Sequence, residues 1–192
     1  MEDFILLEKG RAGEKVAFKA FYEKFKSRVF NTSLSYLQNI EEAEEITQDV
    51  FVEIYNSVNT YKGESSVSTW IYRITVNKSL DALRYRKRKK RSGFLVSLFK
   101  KDSAELQIDM PHFDHPGVAL ENKEKAKILF KVIAELPDQQ KTAFILSHIE
   151  DLSQKEMAVV MKVSEKAVES LIQRAKANLR KKLEIFDPDR RN

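Results

Sequence analysis

The sequence contains no cysteine. Disulfides and cysteine-ligated metal sites are therefore excluded, and a cytoplasmic setting is expected. Glycine and proline are scarce, at five and four in 192 residues. With so few helix breakers and so many strong helix formers, the expected fold class is all-α. No apolar stretch approaches the ~18 residues of a membrane span, so no stable membrane insertion is expected. The start, Met-Glu-Asp-Phe-Ile, has neither the basic opening nor the apolar run of a signal peptide.

What is present can build a core. Hydrophobic residues make up 42% and charged residues 33%, a balance that excludes general disorder. The net charge of +5 favours polyanionic partners without identifying one. The length suits one large domain or two small ones.

The clearest local pattern runs from Asp151 to Arg180. It reads as a helix, a tight turn and a second helix. Ser153 followed by Glu156 has the spacing of a capping box. Ser164 is positioned to cap the second helix. Val168, Leu171, Ile172, Ala175, Leu179 and Leu183 then recur at three- and four-residue steps, which is one buried stripe. Lys166, Glu169, Ser170, Gln173, Arg174, Lys176 and Arg180 fall on the other face. A mostly basic helix presented by a two-helix corner suits the DNA major groove. A merely solvated face would look similar, and the turn Lys162-Val163-Ser164 lacks the glycine common in such corners.

Further helices are expected over 3–9, 14–37 and 41–58. The second carries an aromatic stripe that includes Phe18, Phe21 and Phe25, expected to pack in the core. In the third, Glu41, Glu42, Glu44 and Glu45 suit the positive helix start. Ile46, Val50 and Ile54 share one side. Gln48, Asp49, Val52, Glu53 and Tyr55 are left on others, and an outward Phe51 or Val52 beside Asp49 would make a candidate docking surface. On these residues alone, an ordinary amphipathic helix is the favoured reading.

Residues 59–69 form a polar loop with Tyr61, Lys62, Gly63, Ser65 and Ser66. A helix is expected to start near Ser68 or Thr69. It carries Trp70, the single tryptophan, and steps Arg73, Asn77, Asp81, Arg84 and Arg88 along one side. Arg84 to Arg91 then holds seven basic residues in eight. Such a run contacts phosphates or stays solvated; an adjacent aromatic, hydroxyl-rich loop favours nucleic acid.

Residues 92–118 hold two prolines and two glycines and read as a linker. Its apolar segment, Gly93 to Phe99, either docks on a partner or packs on its own domain. Asp109, His112, Asp114 and His115 mimic metal ligands, but prolines interrupt them, and no metal or other cofactor is expected. Helices resume over 119–135, and from Leu136-Pro137-Asp138 to about Ile149. The expected organisation is two small helical domains, 1–91 and 119–186, on a flexible linker. No dimerisation seam is visible, so no homo-oligomer is expected.

The combination resembles the small bacterial sigma factors of the extracytoplasmic-function (ECF) group, within the primary sigma family. In the N-terminal half the resemblance rests on Ala43-Glu-Glu-Ile-Thr-Gln-Asp-Val-Phe51, Tyr61-Lys-Gly-Glu-Ser65, Thr69-Trp-Ile-Tyr-Arg-Ile74, Asn77, Asp81 and Arg84. In the C-terminal half it rests on Leu136-Pro137, Leu152-Ser153, Glu156-Met-Ala158, Val168, Arg174-Ala175 and Leu179. Their order and spacing over nearly the whole chain carry the match. Glu45 stands where the family often has Asp, and Val67 where an aromatic is common.

The resemblance implies a non-enzymatic factor that binds core RNA polymerase and directs it to stress- or signal-responsive promoters. Glu45, Gln48, Asp49, Val52 and Tyr55 would dock on the polymerase. Tyr61, Lys62, Ser65, Ser66, Trp70, Arg73, Asn77, Asp81 and Arg84 would meet the downstream promoter element as single strand, with one base flipped into the loop. Ser164, Lys166, Glu169, Ser170, Gln173, Arg174 and Lys176 would read the upstream element as duplex. An anti-sigma partner is also implied. The rival at this point is a helix-turn-helix repressor or activator, which needs no polymerase-docking helix.

Overall fold

The computed structural model describes residues 2–99 and 123–186. All regular structure among them is helical. The elements are α1 (Glu2–Arg11), α2 (Lys15–Leu37), α3 (Ile40–Ser57), a 3-10 turn (Val58–Thr60), α4 (Val67–Phe99), α5 (Lys123–Ala134), α6 (Asp138–His148), α7 (Gln154–Met161) and α8 (Glu165–Phe186).

The N-terminal body is built around α2. Phe21, Phe25 and Val29, at four-residue steps, are buried, as the aromatic stripe requires. Phe21 and Phe25 rings lie 4.9 Å apart between centroids. Helix α2 stops where Gln38 turns left-handed at φ 54°, its N–H donating to the Leu34 carbonyl. The next residue, Asn39, accepts the Glu42 N–H and starts α3. Helix α1 lies close on α2 because Gly10 has no side chain. A Cβ there would stand 2.6 Å from the Phe18 Cβ.

In α3, Ile46, Val50 and Ile54 are buried as expected. Phe51 is buried as well, against Tyr22 at 4.6 Å and edge-on to Phe21 at 6.4 Å. Of the two residues considered for an outward position, Val52 takes it.

Helix α4 starts at Val67, with the Ser66 hydroxyl accepting the Thr69 N–H. It continues to Phe99, so its backbone is helical well into the stretch read as linker. Side chains beyond Lys89, and residues 100–122 with their histidines, lie outside the described residues.

In the C-terminal body α8 packs on α5, α6 and α7. Its Val168, Leu171, Ile172, Ala175 and Leu179 are buried, the expected stripe. The capping box of Ser153 and Glu156 is formed at α7. The missing glycine of the helix corner is replaced by Lys162, which takes φ 55° and donates its N–H to the Ala158 carbonyl. That backbone region costs a non-glycine residue about 1–2 kcal/mol.

The two bodies touch. Helix α4 packs on α7, and Gln38 Nε2 donates to the Phe130 carbonyl at 2.6 Å. Tyr72 of α4 donates to Glu150, in the turn after α6, at 2.9 Å. Among the described residues no helix is long and apolar enough to cross a membrane, and no group of three His, Cys, Asp or Glu side chains is arranged to hold a metal.

Candidate polymerase and nucleic-acid interfaces

The first surface is the outer side of α3. Burying Ile46, Val50 and Ile54 forces Glu45, Gln48, Asp49, Val52 and Tyr55 outward, and all five are exposed. Val52 keeps 60% of its surface accessible and Tyr55 keeps 42%. An apolar centre ringed by carboxylates and an amide has the anatomy of a protein interface. Phe18 braces Tyr55 edge-on at 5.4 Å.

The second surface is the loop before α4. Tyr61 is half-buried, its hydroxyl donates to the Ser65 carbonyl, and its ring lies 5.2 Å from Trp70. Burial pushes the Tyr61 phenol pKa up, so it stays a neutral donor. Trp70 is only 4% exposed. It therefore supports Tyr61 from beneath rather than presenting a face of its own. Beside these rings is a cavity of about 530 Å³, lined by Lys62, Gly63, Ser65, Ser66 and Ser68 among others. Gly63 takes φ 73°, which the tight loop needs.

From that loop, α4 carries Asn77, Asp81 and Arg84 exposed, with Arg73 partly covered. Arg84 is not free. It donates to Asp81 at 3.0 Å and pairs with Asp138 of α6 at 3.6 Å. Arg86 is turned away, bonding Glu42 at 3.0 Å and the Leu37 carbonyl at 3.3 Å. Among its described residues, the basic run is thus divided between internal pairs and exposed Lys87, Arg88 and Lys89.

The third surface is the open face of α8. Ser164 accepts the Ala167 N–H at 3.2 Å, which makes it the helix cap as well as a candidate contact. Lys166, Glu169, Gln173, Arg174 and Lys176 are exposed and Ser170 is partly so. Arg174 donates to Ser170 at 2.9 Å, which orients the guanidinium along the face. Asn178 to Gln140 at 2.7 Å and the Lys182–Glu135 pair fix α8 to the helices behind it. His148 is exposed and stacks flat on Phe144 at 4.6 Å, and desolvation with nearby Lys176 lowers its pKa.

Two groups of residues escaped the sequence reading. Asp3 and Phe4 of α1 line the loop cavity, with Phe4 5.3 Å from Tyr61. Nothing in a short N-terminal segment announces a contact with a loop so far along the chain. Tyr72 and Glu150, which join the two bodies, were likewise hidden by their separation.

Comparison with known proteins decides what these surfaces belong to. Residues 21–89 match the model of sigma-70 region 2, and residues 126–179 match sigma-70 region 4. The chain belongs to the sigma-70 family. The sigma factor is 27% identical over 187 residues to the RNA polymerase sigma-H factor of Pseudomonas aeruginosa, covering 95% of this chain and 94% of that one. It is 26% identical over 184 residues to the ECF RNA polymerase sigma-E factor of Haemophilus influenzae, covering 96% of each. In fold it is similar to the sigma factor RpoE of Bartonella quintana, solved with the anti-sigma factor NepR. That likeness has a TM-score of 0.62 at 17% identity and covers 88% of this chain and 97% of the other. These relatives identify an ECF sigma factor; "primary" is not the word for its branch of the family. Its activity is promoter-directed initiation of transcription.

Proposed function

We propose that this ECF sigma factor works by gripping a promoter at two points while held on core RNA polymerase. The observation that carries this reading is the exposed stripe of α3, centred on Val52. A DNA-binding regulator has no use for it, whereas a factor that must seat on polymerase does. Glu45, Gln48, Asp49, Val52 and Tyr55 form that seat.

The two DNA surfaces divide the promoter between them. The face of α8, with Lys166, Glu169, Ser170, Gln173, Arg174 and Lys176 behind the cap Ser164, reads the upstream element as duplex. Side chains near the start of such a helix reach base edges, and later basic residues hold phosphates. The cavity beside Tyr61, Lys62, Ser65 and Ser66, supported by Trp70, takes one unstacked base of the downstream element. Unstacking costs a few kcal/mol, which stacking against an aromatic side chain offsets. Arg73, Asn77, Asp81 and Arg84 follow the same strand along α4.

The factor acts without catalysis of its own, uses no cofactor, functions as one copy in the cytoplasm and responds to a stress or other signal. Residues 1–91 and 119–186 serve as its two working domains and 92–118 as the tether, whose start continues α4 to Phe99. An anti-sigma partner keeps it inactive until the signal arrives; the similarity in fold to a sigma factor solved with such a partner supports this.

The test is reconstitution. Core polymerase stripped of sigma factors is mixed with this chain and supplied with a randomised promoter library. Initiation confined to one promoter class supports the reading. DNA binding with no initiation overturns it in favour of a repressor or activator.

A further inference from the structure

We propose that the N-terminal helix α1 forms the outer wall of the base pocket. In this proposal Phe4 positions the loop, and Asp3 selects bases that carry an amino group. The inference rests on the reading of the Tyr61 cavity as a single-strand site and goes beyond it by adding residues from outside the loop.

Helix α1 is fixed in place rather than a loose arm. Leu7 is fully buried, and Gly10 brings its backbone against Phe18. Lys24 of α2 pairs with Asp3 and holds the helix start. From this platform the Phe4 ring meets Tyr61 at 5.3 Å, and Tyr61 meets Trp70 at 5.2 Å. Three rings thus run from α1 across the loop to α4. Phe4 and Trp70 both brace Tyr61 through tilted ring contacts, beside a position 67 that offers only a valine. A base stacking beside Tyr61 needs that ring held still, because each rotor frozen on binding weakens affinity.

Asp3 and Phe4 line the same cavity of about 530 Å³ as Tyr61, Ser65 and Ser66. That volume lies in the range of small-ligand sites. The Asp3 side chain is 27% exposed and shares one oxygen with Lys24, which leaves acceptor capacity on the carboxylate. Its charge is offset by the lysine, so repulsion of the DNA strand is reduced. A carboxylate accepts from the exocyclic amino groups of cytosine, adenine and guanine; thymine has no amino group, and its one donor is a ring N–H. The wall built by α1 therefore favours the amino-bearing bases over thymine.

The experiment uses the holoenzyme with core polymerase. The probe is the tightest single-stranded ten-mer from a randomised pool, together with ten copies that each lack one base. For the unaltered factor, loss of the base at one position is expected to weaken binding about tenfold, in line with base–aromatic stacking. Phe4→Ala is expected to shrink that penalty to about threefold or less, and Phe4→Tyr to restore it. Asp3→Asn, which keeps the size of the side chain, is expected to bring thymine at that position within about twofold of cytosine. It serves as the second variant if Phe4→Ala fails to fold. An undiminished penalty in folded Phe4→Ala, with unchanged base preference in Asp3→Asn, overturns the role of α1. No sensitive position in the unaltered factor overturns the pocket itself, and this proposal with it.

Discussion

Tyr72 and Glu150 stand 78 residues apart and share a 2.9 Å hydrogen bond that ties α4 to the turn between α6 and α7. Around it, Arg28 lies 5.8 Å from the Tyr72 ring centroid, and burial pushes the pKa of both Tyr72 and Glu150 up. The bond is the polar centre of the contact between the two bodies. Tyr72→Phe removes the donor and leaves the carboxylate under-satisfied, at a cost of about 1–3 kcal/mol to that contact. Energy transfer between dyes on α2 and α8 is expected to show a larger mean separation in the variant than in the parent.

The same contact should respond to pH. The Glu150 carboxyl is raised first by desolvation, against the lowering effects of its bond to Tyr72, of the nearby Thr32 hydroxyl and of Arg28; Asp151 raises it further. A carboxyl whose pKa is higher when the bodies touch holds its proton more tightly in that state. Closure is therefore fully favoured at pH below the ordinary glutamate value of ~4.3, and weakens as pH rises through the raised value. Small-angle scattering across that window should show a smaller radius on the acid side. Glu150→Gln should flatten the dependence.

Docking on polymerase should depend on the apolar centre of α3. Val52→Glu puts a charge where the partner would have to desolvate it. Binding to core polymerase is expected to weaken at least about tenfold, while DNA contacts of α8 are untouched. Surface plasmon resonance on immobilised core enzyme measures it. Asp49→Asn, at the rim, should cost much less and act mainly on the association rate.

Upstream readout should fail at two neighbouring residues of α8. Gln173→Ala or Arg174→Ala is expected to weaken binding to the upstream duplex by about 1–3 kcal/mol if the side chain meets a base. A phosphate contact would instead weaken all sequences alike and lower the salt slope by about one. Fluorescence anisotropy at several salt concentrations separates these cases.

Much of the fold was legible because helices write their buried faces into the sequence at 3.6-residue spacing. The stripes of α2, α3 and α8 and the Ser153–Glu156 cap are of this kind. The outward row of α3 followed from the inward one. What depends on neighbours was not legible. Phe51 is drawn inward by Tyr22 and Phe21. Lys162 accepts a left-handed turn because the packing of α7 on α8 over-determines it. Trp70 carries a motif position yet is buried under Tyr61, so the motif marks a support and not a contact surface. Asp3 and Phe4 reach the base cavity only through the docking of α1 on α2, which no local pattern encodes.

The central claim is a two-point grip, and the most direct measurement is run-off transcription by the reconstituted holoenzyme on three templates. One carries the promoter selected from the library, one has its upstream element scrambled, and one has its downstream element scrambled. The account expects strong initiation on the first and a loss of about tenfold or more on each of the others. It also expects Gln173→Ala to lose activity only where the upstream element is intact. Initiation that ignores either element, or that never exceeds core enzyme alone, would contradict it.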